Sequence, residues 1–276
     1  MHFARRIQVN IYWNVVGAAV AYICDQKILA LWAINEANNA WVWVASLGWR
    51  KLDPTSSTNL LIEAAQAKAD GSLIDFVDEK HGETHYIKEL YVWDPGPMPV
   101  GVEVTRSVAE CVFGWTSRYR QEGTHVIVKI ELVKDANVSK ADLDTAKDRW
   151  KKGIEEKWSY GFACCIEKGA TRASDCSHPC ELTFEVQWVT GGAHHTVTVH
   201  NGSGRADMLD WFVTDSGDVA AHEFGHMLGN VDEYADPQCP NRNPVNTGTI
   251  MDNLDGVVPR LVSRHCDALG ETTVSV

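Results

Sequence analysis

His222-Glu223-Phe224-Gly225-His226-Met227-Leu228-Gly229-Asn230-Val231-Asp232-Glu233-Tyr234 carries two histidines four positions apart, with a glutamate beside the first. On a helix, positions i and i+4 lie one turn apart on one face, so His222 and His226 present two imidazoles to a single point. Neutral imidazole nitrogen suits a zinc ion, which lowers the pKa of a bound water to about 7. Glu223 then stands next to that water as a general base. The flanks predict the helix itself. Asp215, Ser216 and Asp218 supply an N-cap and an acidic first turn, and Gly229 is placed to end the helix in a left-handed turn. With this composition, H-E-x-x-H followed by that glycine and acid arises by chance about 0.03% of the time. The competing reading is a surface helix with an idle histidine pair. Val219, Phe224, Met227 and Leu228 make the helix too apolar for that, and buried imidazole and carboxylate need partners.

A catalytic zinc takes three protein ligands and a water. The turn at Gly229 sends the chain back over the metal and makes Asp232 the expected third ligand. Glu233, His265 and Glu271 are the alternatives. The expected cofactor is one catalytic Zn2+ held by His222, His226 and Asp232, with Glu223 as the catalytic residue. Tyr234 has two readings, a donor to a tetrahedral oxyanion or a ring that packs the turn. Ten acids between Arg205 and Gly256, against Arg205 and Arg242 alone, suggest a preference for cationic peptides.

The pattern H-E-x-x-H-x-x-G-x-x-D resembles the zincin metallopeptidases, in particular a metzincin-like branch with aspartate as third ligand. The resemblance covers about residues 195–266 and implies a mixed sheet, a backing helix and an active-site helix. It also implies a methionine in a tight turn beneath the metal, for which Gly248-Thr249-Ile250-Met251-Asp252-Asn253 is the match. An edge strand of the sheet would hold substrate, and residues 195–200 are the candidate. Asp232 departs from the histidine usual at that place. Ala221 to Tyr234 is similar, more loosely, to metallopeptidase toxin domains of bacterial type VI secretion spike effectors. Both resemblances imply a zinc metalloendopeptidase acting on a protein or peptide, and the second a secreted effector or toxin. The alternatives are a degenerate zincin that binds glycan or protein, and a zinc amidase acting on peptidoglycan.

Outward from the motif, residues 124–132, 181–189 and 195–200 alternate as strands, and Ser139 caps a helix running to Trp158. His194, His195 and His200 read as surface groups on their strand. Asp94-Pro95-Gly96-Pro97-Met98-Pro99-Val100-Gly101 cannot lie inside a helix or central strand. The expected organisation is a small β-rich domain over 1–94, a linker over 95–101 and a zincin-like domain over 102–276, together an α+β protein. The first domain holds Trp13, Trp32, Trp41, Trp43, Trp49 and Trp93. These are expected to fill a small barrel core, although indole faces also suit carbohydrate. Polar breaks at 25–27 and 35–39 read as hairpin connections, and 58–69 as a helix.

The net charge of −12 argues against nucleic acid as a partner, and no apolar run reaches the roughly 18 residues of a membrane span. Partners are therefore the substrate and, through the N-terminal domain, carbohydrate or secretion machinery. Arg5 and Arg6 precede an apolar stretch from Ile11 to Ile23. Asn14 and early aromatics interrupt it and no cleavage site follows, so it reads as the first strands of a domain rather than a signal peptide. Eight cysteines favour disulfides and an oxidising destination. Signal-independent export to the extracellular space or a target-cell periplasm reconciles the two observations. Cys239 and Cys266 are the expected staple across Met251, and Cys164, Cys165, Cys176, His178 and Cys180 the alternative of a structural metal site.

Overall fold

Alternating apolar and polar residues build the first third of the chain into a sheet. The computed structural model describes residues 12–15, 18–34, 36, 38–45, 47–92, 101–159, 161–165, 169–176 and 179–276. The expected linker lies outside these residues except for Gly101. Two compact units are present, Met1–Val100 with His178–Glu181, and Gly101–Ser177 with Leu182–Val276. Among the described residues, no helix is long and apolar enough to cross a membrane.

In the first unit, β1 (Tyr12–Val15), β2 (Ala18–Gln26), β3 (Ile28–Ala33), β4 (Ala40–Val44), β5 (Gly48–Leu52), α1 (Ser57–Asp70), β6 (Ile74–His81) and β7 (Thr84–Val92) follow in order. The strands form one sheet, β1-β2-β6-β7-β5-β4-β3. The break at 35–39 joins antiparallel β3 and β4, with Ala33 opposite Ala40. The break at 25–27 is not a hairpin. Lys27 alone separates β2 from β3, yet these strands pair with β6 and β4 near opposite ends of the sheet.

The tryptophan expectation is also overturned. Apart from Phe76 the core of this unit is aliphatic, with Ile23, Val42, Val44, Leu52, Ile74 and Ile87 packed with Leu60, Ala64 and Ala67 of α1. Strand alternation that buries Val42 and Val44 turns Trp43 outwards. Trp32, Trp43 and Trp49 are 45%, 39% and 43% exposed, so they do not fill a barrel. The side chains of Trp13 and Trp93 lie outside the described residues.

The second unit begins with the hairpin β8 (Val102–Glu110) and β9 (Phe113–Glu122), followed by β10 (His125–Lys134) and α2 (Lys140–Trp158). The Ser139 side chain caps α2 by accepting from the Asp142 amide. Next come β11 (Phe162–Cys165), β12 (Cys180–Glu181, part of the first unit), β13 (Thr183–Val189), β14 (His195–His200) and β15 (Asp210–Phe212). The chain ends with α3 (Gly217–Met227), α4 (Ile250–Asn253), α5 (Pro259–Asp267) and β16 (Thr272–Ser275). β10 is antiparallel to β9 and parallel to β13 and β14, so the protein is α+β with mixed sheets.

β14 is flanked by β10 and β15, which removes residues 195–200 as the edge strand. The outward groups of β15 are taken locally: Asp210 bonds Asp207, and Phe212 bonds Asp215. His195 is buried rather than on the surface, and the His194 side chain is 8% exposed. His200 fits the surface expectation only in part, bridging Asp135 and Asp210.

All eight cysteines are paired, as Cys24–Cys180, Cys111–Cys239, Cys164–Cys266 and Cys165–Cys176. Cys239 and Cys266 therefore do not pair with each other, and the cysteines assigned to a structural metal are spent on disulfides. His178 lies outside the described residues.

Candidate metal centre

α3 is positioned by the helix behind it. Trp150 and Trp158 of α2 are buried, and truncating such a side chain costs about 3–5 kcal/mol. Trp150 Nε1 donates to the Asp215 carbonyl at 3.1 Å and Trp158 Nε1 to the Ala221 carbonyl at 2.9 Å. Ser216 caps the N-terminus by accepting from the Val219 amide. Gly229, at φ 90°, turns the chain after α3 as expected.

The two histidines sit on the half-buried stripe of α3, with ring centroids 5.0 Å apart. His222 Nδ1 donates to the Ile250 carbonyl at 2.6 Å, and His226 Nδ1 to the Asn230 carbonyl at 2.9 Å. These bonds leave each Nε2 with its lone pair free for a metal. Both Nε2 atoms lie 3.2 Å from Asp232 Oδ1. Ligands bound at about 2.0–2.1 Å in a tetrahedron are ~3.3 Å apart, so Asp232 Oδ1 stands at the spacing of a fellow zinc ligand from each of the two nitrogens. They form the candidate metal cluster His222, His226 and Asp232.

The carboxyl of Asp232 is held well below the usual carboxylate range. Burial opposes this, and the adjacent His222 and His226 outweigh burial. Glu223 behaves in the opposite sense. It is 5% exposed, Oε2 has no hydrogen-bond partner, and burial raises its pKa against the pull of both histidines. Asp232 and Asp207 add to the rise. An unpartnered buried carboxylate oxygen beside a three-ligand cluster fits a metal-bound water.

The alternative ligands are engaged elsewhere. Glu233 is 2% exposed and accepts from Thr247, Thr249 at 2.6 Å and Arg260 at 2.7 Å. It thereby ties the segment after α3 to the Met251 turn, since its amide also donates to the Met251 carbonyl. His265 is fully buried against Tyr119 and Phe184. Glu271 is not in the cluster. Met251 lies directly beneath α3, where a Cβ on Gly225 would meet its Sδ at 2.4 Å. The motif's second variable position is glycine because the methionine needs that space.

Tyr234 favours the packing reading. Its ring lies 4.7 Å from the Arg242 guanidinium, its hydroxyl accepts from Arg205 at 3.1 Å, and the same hydroxyl bonds Asp232. The acidic field around the site is largely spent within the protein. Asp210 bonds His200, Asp218 pairs with Lys157, Glu233 with Arg260 and Asp236 with Arg242.

Three neighbours were not legible in the motif. Trp115 Nε1 donates to the His226 carbonyl at 2.8 Å, with its ring 5.4 Å from the imidazole. Ser117 donates to the Met227 carbonyl at 2.6 Å. Arg242 reaches Asp232 Oδ2 at 3.7 Å. No family model, curated protein or solved structure matches this chain.

Proposed function

We propose that the second unit is a zincin-like zinc metalloendopeptidase. One observation carries the reading: Asp232 Oδ1 stands 3.2 Å from both His222 Nε2 and His226 Nε2, with the unpartnered Glu223 Oε2 beside them. A bound zinc supplies a Lewis acid and a water of pKa about 7. Glu223 takes the proton of the attacking water and gives it to the leaving amine nitrogen. His222 and His226 keep their orientation through the Ile250 and Asn230 carbonyls. Asp232 stays ionised and offsets the ion's charge.

The four disulfides support an oxidising destination, consistent with a secreted effector or toxin. A second reading concerns the first unit, where exposed Trp32, Trp43 and Trp49 suit a flat ligand such as a glycan.

The test is zinc content per chain, by elemental mass spectrometry, alongside hydrolysis of casein and of peptidoglycan. Wild type should carry one zinc and Asp232→Ala much less. Glu223→Gln should keep the zinc and lose casein hydrolysis by a factor on the order of 10²–10⁴. A folded wild type without metal sinks the enzyme and leaves the binding reading. Zinc with cleavage of peptidoglycan alone makes the protein an amidase.

A further inference from the structure

Asp232 is held from behind. Its Oδ1 faces the two histidines, while its Oδ2 faces Arg242 Nη2. Arg242 is not a surface cation, since its side chain is 2% exposed. It donates from Nε and Nη2 to Glu110, at 2.5 Å and 3.3 Å, across 132 residues of sequence. Its Nη1 donates to the Tyr234 carbonyl at 2.7 Å. One guanidinium therefore joins the third ligand, the residue two places after it, and the tip of the β8–β9 hairpin.

A covalent bond joins the same two segments. Cys111 follows Glu110, and it pairs with Cys239, whose carbonyl accepts from the Arg242 amide at 3.0 Å. The loop between β8 and β9 is Cys111-Val112 alone, with Cys111 at φ 52°. Two-residue hairpins of this kind prefer asparagine or glycine where φ is positive, so local propensity does not hold the tip in place. The crosslink to Cys239 does. The histidines are fixed by a regular helix, whereas Asp232 lies on irregular chain between α3 and α4.

We propose that the Glu110–Arg242 pair, locked by Cys111–Cys239, is a brace that fixes Asp232 as third metal ligand, so that opening this disulfide weakens metal binding. This rests on the metal-site reading above. A dithiol reductant opens the brace by giving two electrons and two protons: the S–S bond breaks to two thiols and the dithiol closes to its own disulfide. The site then holds metal well in oxidising surroundings and poorly in reducing ones. Arg242 and Glu110 are positioning residues, acting through Asp232.

The experiment measures Zn2+ affinity of the full chain by competition with a chromophoric chelator, well below the melting temperature of each protein. Glu110→Gln with Arg242→Gln removes both partners of the ion pair together, so that neither is left charged without the other. Cys111→Ser with Cys239→Ser removes the lock alone. Each should raise Kd about 10–100-fold, as loss of an outer-shell partner does. Arg242→Lys should fall between these and wild type, because a lysine keeps the charge and not the fork. The visible spectrum of the Co2+-loaded protein should change in both double variants, which loss of general stability alone would not cause. A Kd within twofold of wild type and an unchanged Co2+ spectrum, in whichever double variant folds, overturns the brace. Wild type that binds neither Zn2+ nor Co2+ overturns the metal reading and the brace with it.

Discussion

His265 is fully buried, and its ring faces Tyr119 at 5.1 Å and Phe184 at 5.2 Å. Burial pushes its pKa down from 6.5 to about 3, and the Arg264 charge adds to the drop. His195 is buried as well and falls to about 4 for the same first reason. In the unfolded chain both take up a proton near pH 6.5, so between there and about 3–4 the unfolded state holds more protons. Their contribution is complete above pH 6.5 and is lost as pH falls through that window. Each unit of difference is worth about 1.4 kcal/mol, so the metal-free protein should lose several kcal/mol by pH 4. Urea unfolding at pH 7 and pH 4, with chelator present, checks this. His265→Phe should flatten the profile, and an unaltered slope would remove His265 as its source. Nothing in the sequence distinguished His265 as a buried neutral group from His265 as a metal ligand. The helical period put His222 and His226 together, but what surrounds His265 comes from Tyr119 and Phe184, far away in the chain.

At the scale of elements, α2 and α3 cross where two glycines meet. A Cβ on Gly153 would lie 2.3 Å from Gly217 Cα, which is backbone and cannot swing aside. Gly153→Ala must therefore push the helices apart. It should cost about 3 kcal/mol, the upper part of the overpacking range, despite the better helix propensity of alanine. Thermal melting of this variant is the check, and a melting temperature at or above wild type would mean the crossing is looser than the contact implies. The helices themselves were readable: Ser139 and Ser216 cap α2 and α3 where the pattern placed them. Strand content was readable for the same reason, since a period of two is local. Strand order was not. β14 carries the alternation of a half-buried strand, but whether it lies at an edge depends on Asp210–Phe212, three residues with no periodicity to read. Lys27 misled for a related reason, because a polar residue between two strands looks the same in a hairpin and in a chain passing between the ends of a sheet.

For the whole molecule, the disulfides divide the labour between stability and the site. Eight cysteines allow roughly 100 pairings, and spacing does not choose among them. The expected Cys239–Cys266 staple failed because each of these cysteines meets a partner more than 100 residues earlier in sequence, Cys111 and Cys164. Cys164–Cys266 joins β11 to α5 and closes a loop that contains His222, His226 and Asp232, but neither cysteine is part of their cluster. Its main effect is then on the unfolded chain. A closed loop of about 100 residues is worth ~4.7 kcal/mol in the chain-entropy account. Cys164→Ser with Cys266→Ser should lower the unfolding free energy by about 4 kcal/mol, measured in urea. The variant that still folds should bind Zn2+ as wild type does. The Cys111–Cys239 bond closes a loop of similar size, so Cys111→Ser with Cys239→Ser should cost similar stability, but of the two double variants only this one should weaken Zn2+ binding. If both pairs weakened binding equally, the metal site would be following the general stability of the fold, and the special place of the β8–β9 tip beside Arg242 would be lost.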